Sequence, residues 1–135
     1  MTKLSDEIAS RVWNAAEAAA AQAYAPYSNF YVGAALLTSE GEIVSGCNVE
    51  NASYGLTNCA ERTAVFRAVA EGKLSRGISI VAIAVVNREH TSCSPCGACR
   101  QVLSEFGLNA IVLFEHDGER RRLTVSALLP ESFLL

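Results

Sequence analysis

The chain has 135 residues, half of them hydrophobic and 19% charged, with a formal net charge of −3. That length suits one domain over residues 1–135, able to bury roughly two-thirds of its unfolded surface, and the composition excludes a disordered chain in favour of a compact α/β body. The acidic balance offers no basic field for phosphates, which argues against a nucleic-acid partner and for a small-molecule substrate.

Met1 to Ser10 carry no basic segment joined to an apolar run, and nowhere does the sequence approach the roughly 18 apolar residues of a membrane span. A cytoplasmic protein without membrane contact is expected. In a reducing compartment, five cysteines, an odd number, are read as thiols kept for a metal or for catalysis more than for disulfides. Leu4, Ile8, Val12 and Ala15 recur at helical spacing and an alanine-rich stretch follows, so Ser5 to Ala23 is expected to be helical, with Ser5 as N-cap and Pro26 ending the pattern.

Val32 to Thr38 and Ile43 to Val49 read as two strands of an antiparallel hairpin around Ser39, Glu40 and Gly41. Asn58 stands where an N-cap would, with a helix from Cys59 to Glu71 stopping at Gly72. Ile78 to Val86 is almost wholly apolar, as in a strand buried on both faces at the centre of a sheet. Ser94 and Pro95 signal a helix start, and that helix is expected from about Pro95 to Phe106, before Gly107. Ala110 to Glu115 and Arg121 to Val125 form a last pair of strands. The link through Asp117 and Gly118 is too short for a crossover helix, so the two are antiparallel. Pro130 to Leu135 is an apolar tail.

The chemistry concentrates in two short segments, Cys59-Ala60-Glu61 and Pro95-Cys96-Gly97-Ala98-Cys99. Together they offer three sulfurs and one carboxylate. A structural zinc site is usually closed by four protein ligands, whereas a catalytic one keeps three and leaves a position for water or substrate. Cys96 and Cys99 share one face of a helix start, Cys59 opens another, and two helix N-termini meeting at one point would favour thiolates. The expected cofactor is one Zn²⁺ per chain, with Glu61 managing protons. Three thiolates leave the metal core net negative, so a nearby cation is expected, with Arg62 the leading candidate to hydrogen-bond the ligand sulfurs.

Each residue also has a plainer reading. With Asn58 as N-cap, Glu61 falls at N3, where a glutamate commonly closes a capping box. Cys93 could complete a closed four-sulfur site, which would make the protein a structural or interaction module. A CxxC pair without metal would suit a thiol oxidoreductase. Cys47 is read as a buried strand residue, and His90 and His116 as solvated turn residues.

The two cysteine segments, with Tyr27, Ser28, Phe30, Val32, Gly33 and Ala34, the run from Gly46 to Asn51, and Ser53, Tyr54 and Gly55, resemble the zinc-dependent cytidine deaminase family in its small homotetrameric subgroup. The resemblance implies a three-layer α/β/α fold with a mixed five-stranded sheet and an antiparallel last hairpin. It further implies that Asn48 and Glu50 read ribose hydroxyls, that Phe30 packs on the pyrimidine, and that backbone at Ala60 and near Ser94 holds the base edges. Tyr54 and Phe133 would reach a neighbouring subunit's site in a homotetramer. The implied reaction is hydrolytic deamination of cytidine and deoxycytidine to uridine and deoxyuridine with release of ammonia, as in pyrimidine salvage. A deaminase of modified nucleosides, including aminonucleoside antibiotics, is the nearest alternative.

Overall fold

The computed structural model describes residues 4–133 and 135; Met1 to Lys3 and Leu134 of the expected tail lie outside the described residues. Helix α1 spans Asp6–Ala20. Ser5 caps it as expected, its hydroxyl accepting from the Ile8 amide at 3.2 Å. The helix ends before Ala23 and before Pro26 is reached. Tyr24 is drawn into pairing with the segment around Val49, its amide donating to the Asn48 carbonyl and its carbonyl accepting from the Glu50 amide. Tertiary pairing thus overrides alanine's helix propensity.

Strands β1, Val32–Thr38, and β2, Ile43–Cys47, form the expected antiparallel hairpin. The second strand stops short of Val49, which instead bridges separately to Tyr24 and Asn58. That bridge occupies the Asn58 backbone and moves the N-cap of the next helix to Cys59, so helix α2 runs Ala60–Ala70. Strand β3, Ile80–Asn87, begins two residues later than expected and is buried almost throughout. Helix α3, Gly97–Phe106, is capped at Cys96 and not at Ser94. The buried Pro95 lies outside the helix, its carbonyl accepting from Arg100 Nε at 2.7 Å.

Strand β4, Ile111–His116, lies parallel to β3, and strand β5, Glu119–Thr124, returns antiparallel. Asp117 and Gly118, at φ 51° and 79°, make the two-residue turn whose left-handed backbone matches strand twist. A short helix, α4, Val125–Leu128, was not expected; Thr124 caps it.

Among the described residues the five strands form one mixed sheet in the order β2-β1-β3-β4-β5, with β3 central. Helix α1 covers one face, where Val12, Trp13 and Ala16 cluster with Ala35, Ala82, Ala84, Val86 and Leu113. Helices α2 and α3 cover the other, where Val65 and Leu103 cluster with Leu36, Ile83, Val85, Val112 and Phe114. This is the expected three-layer arrangement. Among the described residues, no helix is long and apolar enough to cross a membrane.

Glycine sets how closely α2 approaches the sheet. A Cβ on Gly46 would lie 2.4 Å from the Ala64 amide nitrogen and 2.9 Å from the Ala60 carbonyl oxygen. The first turns of α2 therefore rest directly on β2, which fixes where its N-terminus points.

Candidate active site

Cys59 and Cys96 occupy the N-caps of α2 and α3, and neither side chain caps its own helix. Their sulfurs are thus free to face one another across the two helix starts, where unpaired amides favour negative charge. Cys99, one turn into α3, is fully buried. Cys59 Sγ lies 4.0 Å from Cys96 Sγ, Cys96 Sγ lies 3.5 Å from Cys99 Sγ, and all three sulfurs fall within 4.8 Å of one another. Tetrahedral zinc with bonds of about 2.3 Å would space its sulfurs roughly 3.8 Å apart. The donor set and its spacing fit zinc.

The electrostatics agree. The Cys59 thiol is pushed down to about 5, chiefly by hydrogen bonding from Cys99 and also by Arg62, whose Nη2 donates to Cys59 Sγ at 3.3 Å. The same clustering pushes the Cys99 thiol up, since neighbouring sulfurs resist ionising together without a cation between them. Arg62 is held more firmly protonated by Cys59 in turn.

Glu61 is 5% exposed, and burial raises its carboxyl to about 7, with the charge of Cys59 adding to the rise. With Cys59 as N-cap, Glu61 stands at N2, so the capping-box reading loses its geometry. A buried carboxyl beside three sulfurs, able to hold or release a proton near neutral pH, suits acid–base work.

Cys93 does not join the cluster, which among the described residues consists of Cys59, Cys96 and Cys99. It packs against the core, and burial pushes its thiol up to about 11, unfavourable for a thiolate ligand. The closed four-sulfur site is therefore not formed. Cys47 does end strand β2, but it is half-buried and not buried as expected, because it lies at the last position of that strand.

The other expected site residues differ in burial and in what they contact. Ala60 is buried at the first position of α2. Phe30 is 37% exposed, not simple core. Asn48 and Glu50 are buried and shape the segment that carries Phe30: Asn48 Oδ1 accepts from the Val32 amide at 2.9 Å and Nδ2 donates to the Phe30 carbonyl at 2.8 Å. Glu50 Oε1 accepts from the amides of Tyr27 and Ser28, and Oε2 accepts from the Ser28 hydroxyl. Those bonds, led by the hydroxyl, hold the Glu50 carboxyl below the usual range. Tyr54 and Phe133 are 77% and 70% exposed.

Ser28, which anchors Glu50 through its amide and hydroxyl, has no spacing signal of its own in the sequence. His90 is exposed beside a turn and outside the sulfur cluster, as expected of a solvated turn residue. Its backbone lies at φ 55°, and its ring reaches two carboxylates, those of Glu17 and Glu115. His116 lies at the end of β4, its Nε2 3.4 Å from Asp117 Oδ2.

Residues 6–115 match the model of the cytidine and deoxycytidylate deaminase zinc-binding region. The chain is 51% identical over 113 residues to a cytidine deaminase of Halalkalibacterium halodurans, covering 82% of this chain and 83% of that protein. A crystal structure of cytidine deaminase from Burkholderia pseudomallei superposes with a TM-score of 0.83 at 51% identity, covering 92% of this chain and 98% of the other. Similarity to a blasticidin-S deaminase of Bacillus cereus is lower, 35% identity over 105 residues, covering 74% of each.

Proposed function

The chain belongs to the zinc-binding cytidine and deoxycytidylate deaminase family, and we propose that it hydrolyses cytidine and deoxycytidine to uridine and deoxyuridine, releasing ammonia. The carrying observation is the convergence of three cysteine sulfurs with a buried glutamate beside them. Cys59, Cys96 and Cys99 would hold the zinc. When bound, zinc supplies the Lewis acidity that makes water nucleophilic near neutral pH.

Glu61 accepts a proton from the water that adds at C4 of the pyrimidine, then delivers protons to N3 and to the departing amine. Its raised pKa suits both directions of transfer. Phe30 offers an exposed ring to the base, and backbone at Ala60 and around Ser94 meets the base edges. Asn48 has spent one donor and one acceptor on the fold, which leaves one of each for a ribose hydroxyl. Glu50, with roughly four acceptor positions, has used three of them on Tyr27 and Ser28 and keeps one. Both residues can therefore shape the pocket and read the sugar.

Residues 1–135 act as one catalytic domain in the cytoplasm, assembled as a homotetramer in which Tyr54 and Phe133 approach a neighbouring site. Their exposure in the single chain supports that assembly. The greater identity to a cytidine deaminase than to the blasticidin-S enzyme favours the simple nucleoside. Ammonia release from cytidine, deoxycytidine and blasticidin S tests the choice: kcat/KM should be highest for the first two, and a preference for the antibiotic would overturn it.

A further inference from the structure

The three sulfurs are not held alike. Cys99 is buried within α3 and inherits its position from helix packing, whereas Cys96 is exposed at the N-cap. Packing on its side chain cannot be what places Cys96. Its position is passed on by residues 88–96, which join β3 to α3 without helix or strand of their own.

Two side chains organise that connection. Asn87, 1% exposed at the end of β3, folds the chain back on itself. Its Oδ1 accepts from the amides of Glu89 and Thr91, both at 3.1 Å, and from the Thr91 hydroxyl at 3.3 Å. Its Nδ2 donates to the Thr91 carbonyl at 2.8 Å. His90 then ties this turn to its surroundings: Nε2 lies 3.1 Å from Glu17 Oε1 on α1, and Nδ1 lies 2.8 Å from Glu115 Oε1 on β4. Both nitrogens donate only when the ring is protonated, and the bridge is then charge-assisted at each end. Farther along, the Cys93 amide donates to the Glu115 carbonyl at 3.0 Å, so Glu115 receives the loop at two points.

From this we infer that Asn87 and His90 are positioning residues of the metal centre: they set the path of the 88–96 loop and through it the place of the Cys96 sulfur. Neither belongs to the sulfur cluster. Their influence on the metal is therefore indirect, passed through backbone, as that of outer residues commonly is. The inference rests on the zinc-enzyme reading above.

The test uses purified holoenzyme and the rate at which zinc passes to a chromogenic chelator. His90→Asn suits the left-handed backbone at this exposed turn and removes a ring that reaches both carboxylates. Asn87→Asp keeps the acceptor and replaces the donor facing the Thr91 carbonyl. Ile83→Val, a shortening in the buried sheet, serves as a stability control, with thermal midpoints recorded for all.

Zinc release about tenfold faster in both loop variants, with Ile83→Val at the parent rate for a comparable loss of midpoint, is the expected result. Parent-level release in the loop variants, or acceleration in all three in step with the midpoint, would overturn the positioning role. A parent protein that holds no zinc or leaves cytidine intact would instead remove the underlying reading. A zinc-loaded, active parent beside unaffected loop variants would remove this inference alone.

Discussion

Three thiolates around one divalent cation carry an excess of negative charge, and Arg62 is placed to answer it, with Nη2 on Cys59 Sγ. Its Nε is buried without a hydrogen-bond partner among the described residues, so the guanidinium is held there chiefly by the sulfur it faces. Arg62→Ala should weaken zinc binding and lower turnover, each by about 10- to 100-fold, as measured by chelator competition and cytidine loss. Parent values for both would remove the role. Arg62 was legible in the sequence because three thiolates call for a nearby cation and Arg62 adjoins Glu61, directly after a ligand-bearing segment. Asn87 was not: one asparagine at the end of an apolar strand looks like any turn residue, and only the folded loop reveals that its side chain bonds to both Glu89 and Thr91. Glu61 stood between. Its chemistry was legible from the cysteines around it, but its capping-box alternative fell only when the N-cap moved to Cys59.

Both ligand-bearing helices start later than their local signals imply, and in both the cap is a cysteine. Asn58 and Ser94 are better capping residues than cysteine in isolation, so surrounding contacts outweigh intrinsic preference at these positions. The Asn58 backbone is taken by Val49, and Pro95 is clamped by Arg100 before the first helical turn. These contacts leave the sulfurs of Cys59 and Cys96 facing the site, where local capping rules alone would have turned them elsewhere. The strands were easier to read because their apolar runs and turn residues agree with the pairing they adopt. Helix α4, four residues long, is too short to show a period. Gly46 tests how firmly α2 is seated. In Gly46→Ala the new methyl would press on the Ala60–Ala64 backbone and displace the helix that carries Glu61. A loss of about 1–3 kcal/mol in unfolding free energy is expected, with weaker zinc retention. Denaturant titration and metal analysis check this, and unchanged values in both would show that the contact yields without consequence.

The molecule as a whole exposes several large apolar side chains. Tyr54, Leu56, Phe66 and Val69 are exposed near and along α2, and Phe133 and Leu135 at the tail. The proposed tetramer would cover them. Ending the chain after Glu131 should lower the assembled mass seen by light scattering or raise KM for cytidine, whereas an unchanged oligomer with full activity would contradict a role for the tail. At this scale the fold was readable through the short Asp117–Gly118 turn, which required the last two strands to be antiparallel. Which apolar side chains stay exposed was not, because exposure is a property of the folded surface and has no period in the sequence. The central claim is that three thiolates and one buried glutamate make a deaminase, and comparing cytidine loss by Glu61→Gln with that of its parent, at measured zinc content, tests it most directly. Equal zinc with turnover reduced at least about 100-fold is the predicted result; a variant that kept its zinc and deaminated cytidine at the parent rate would contradict it.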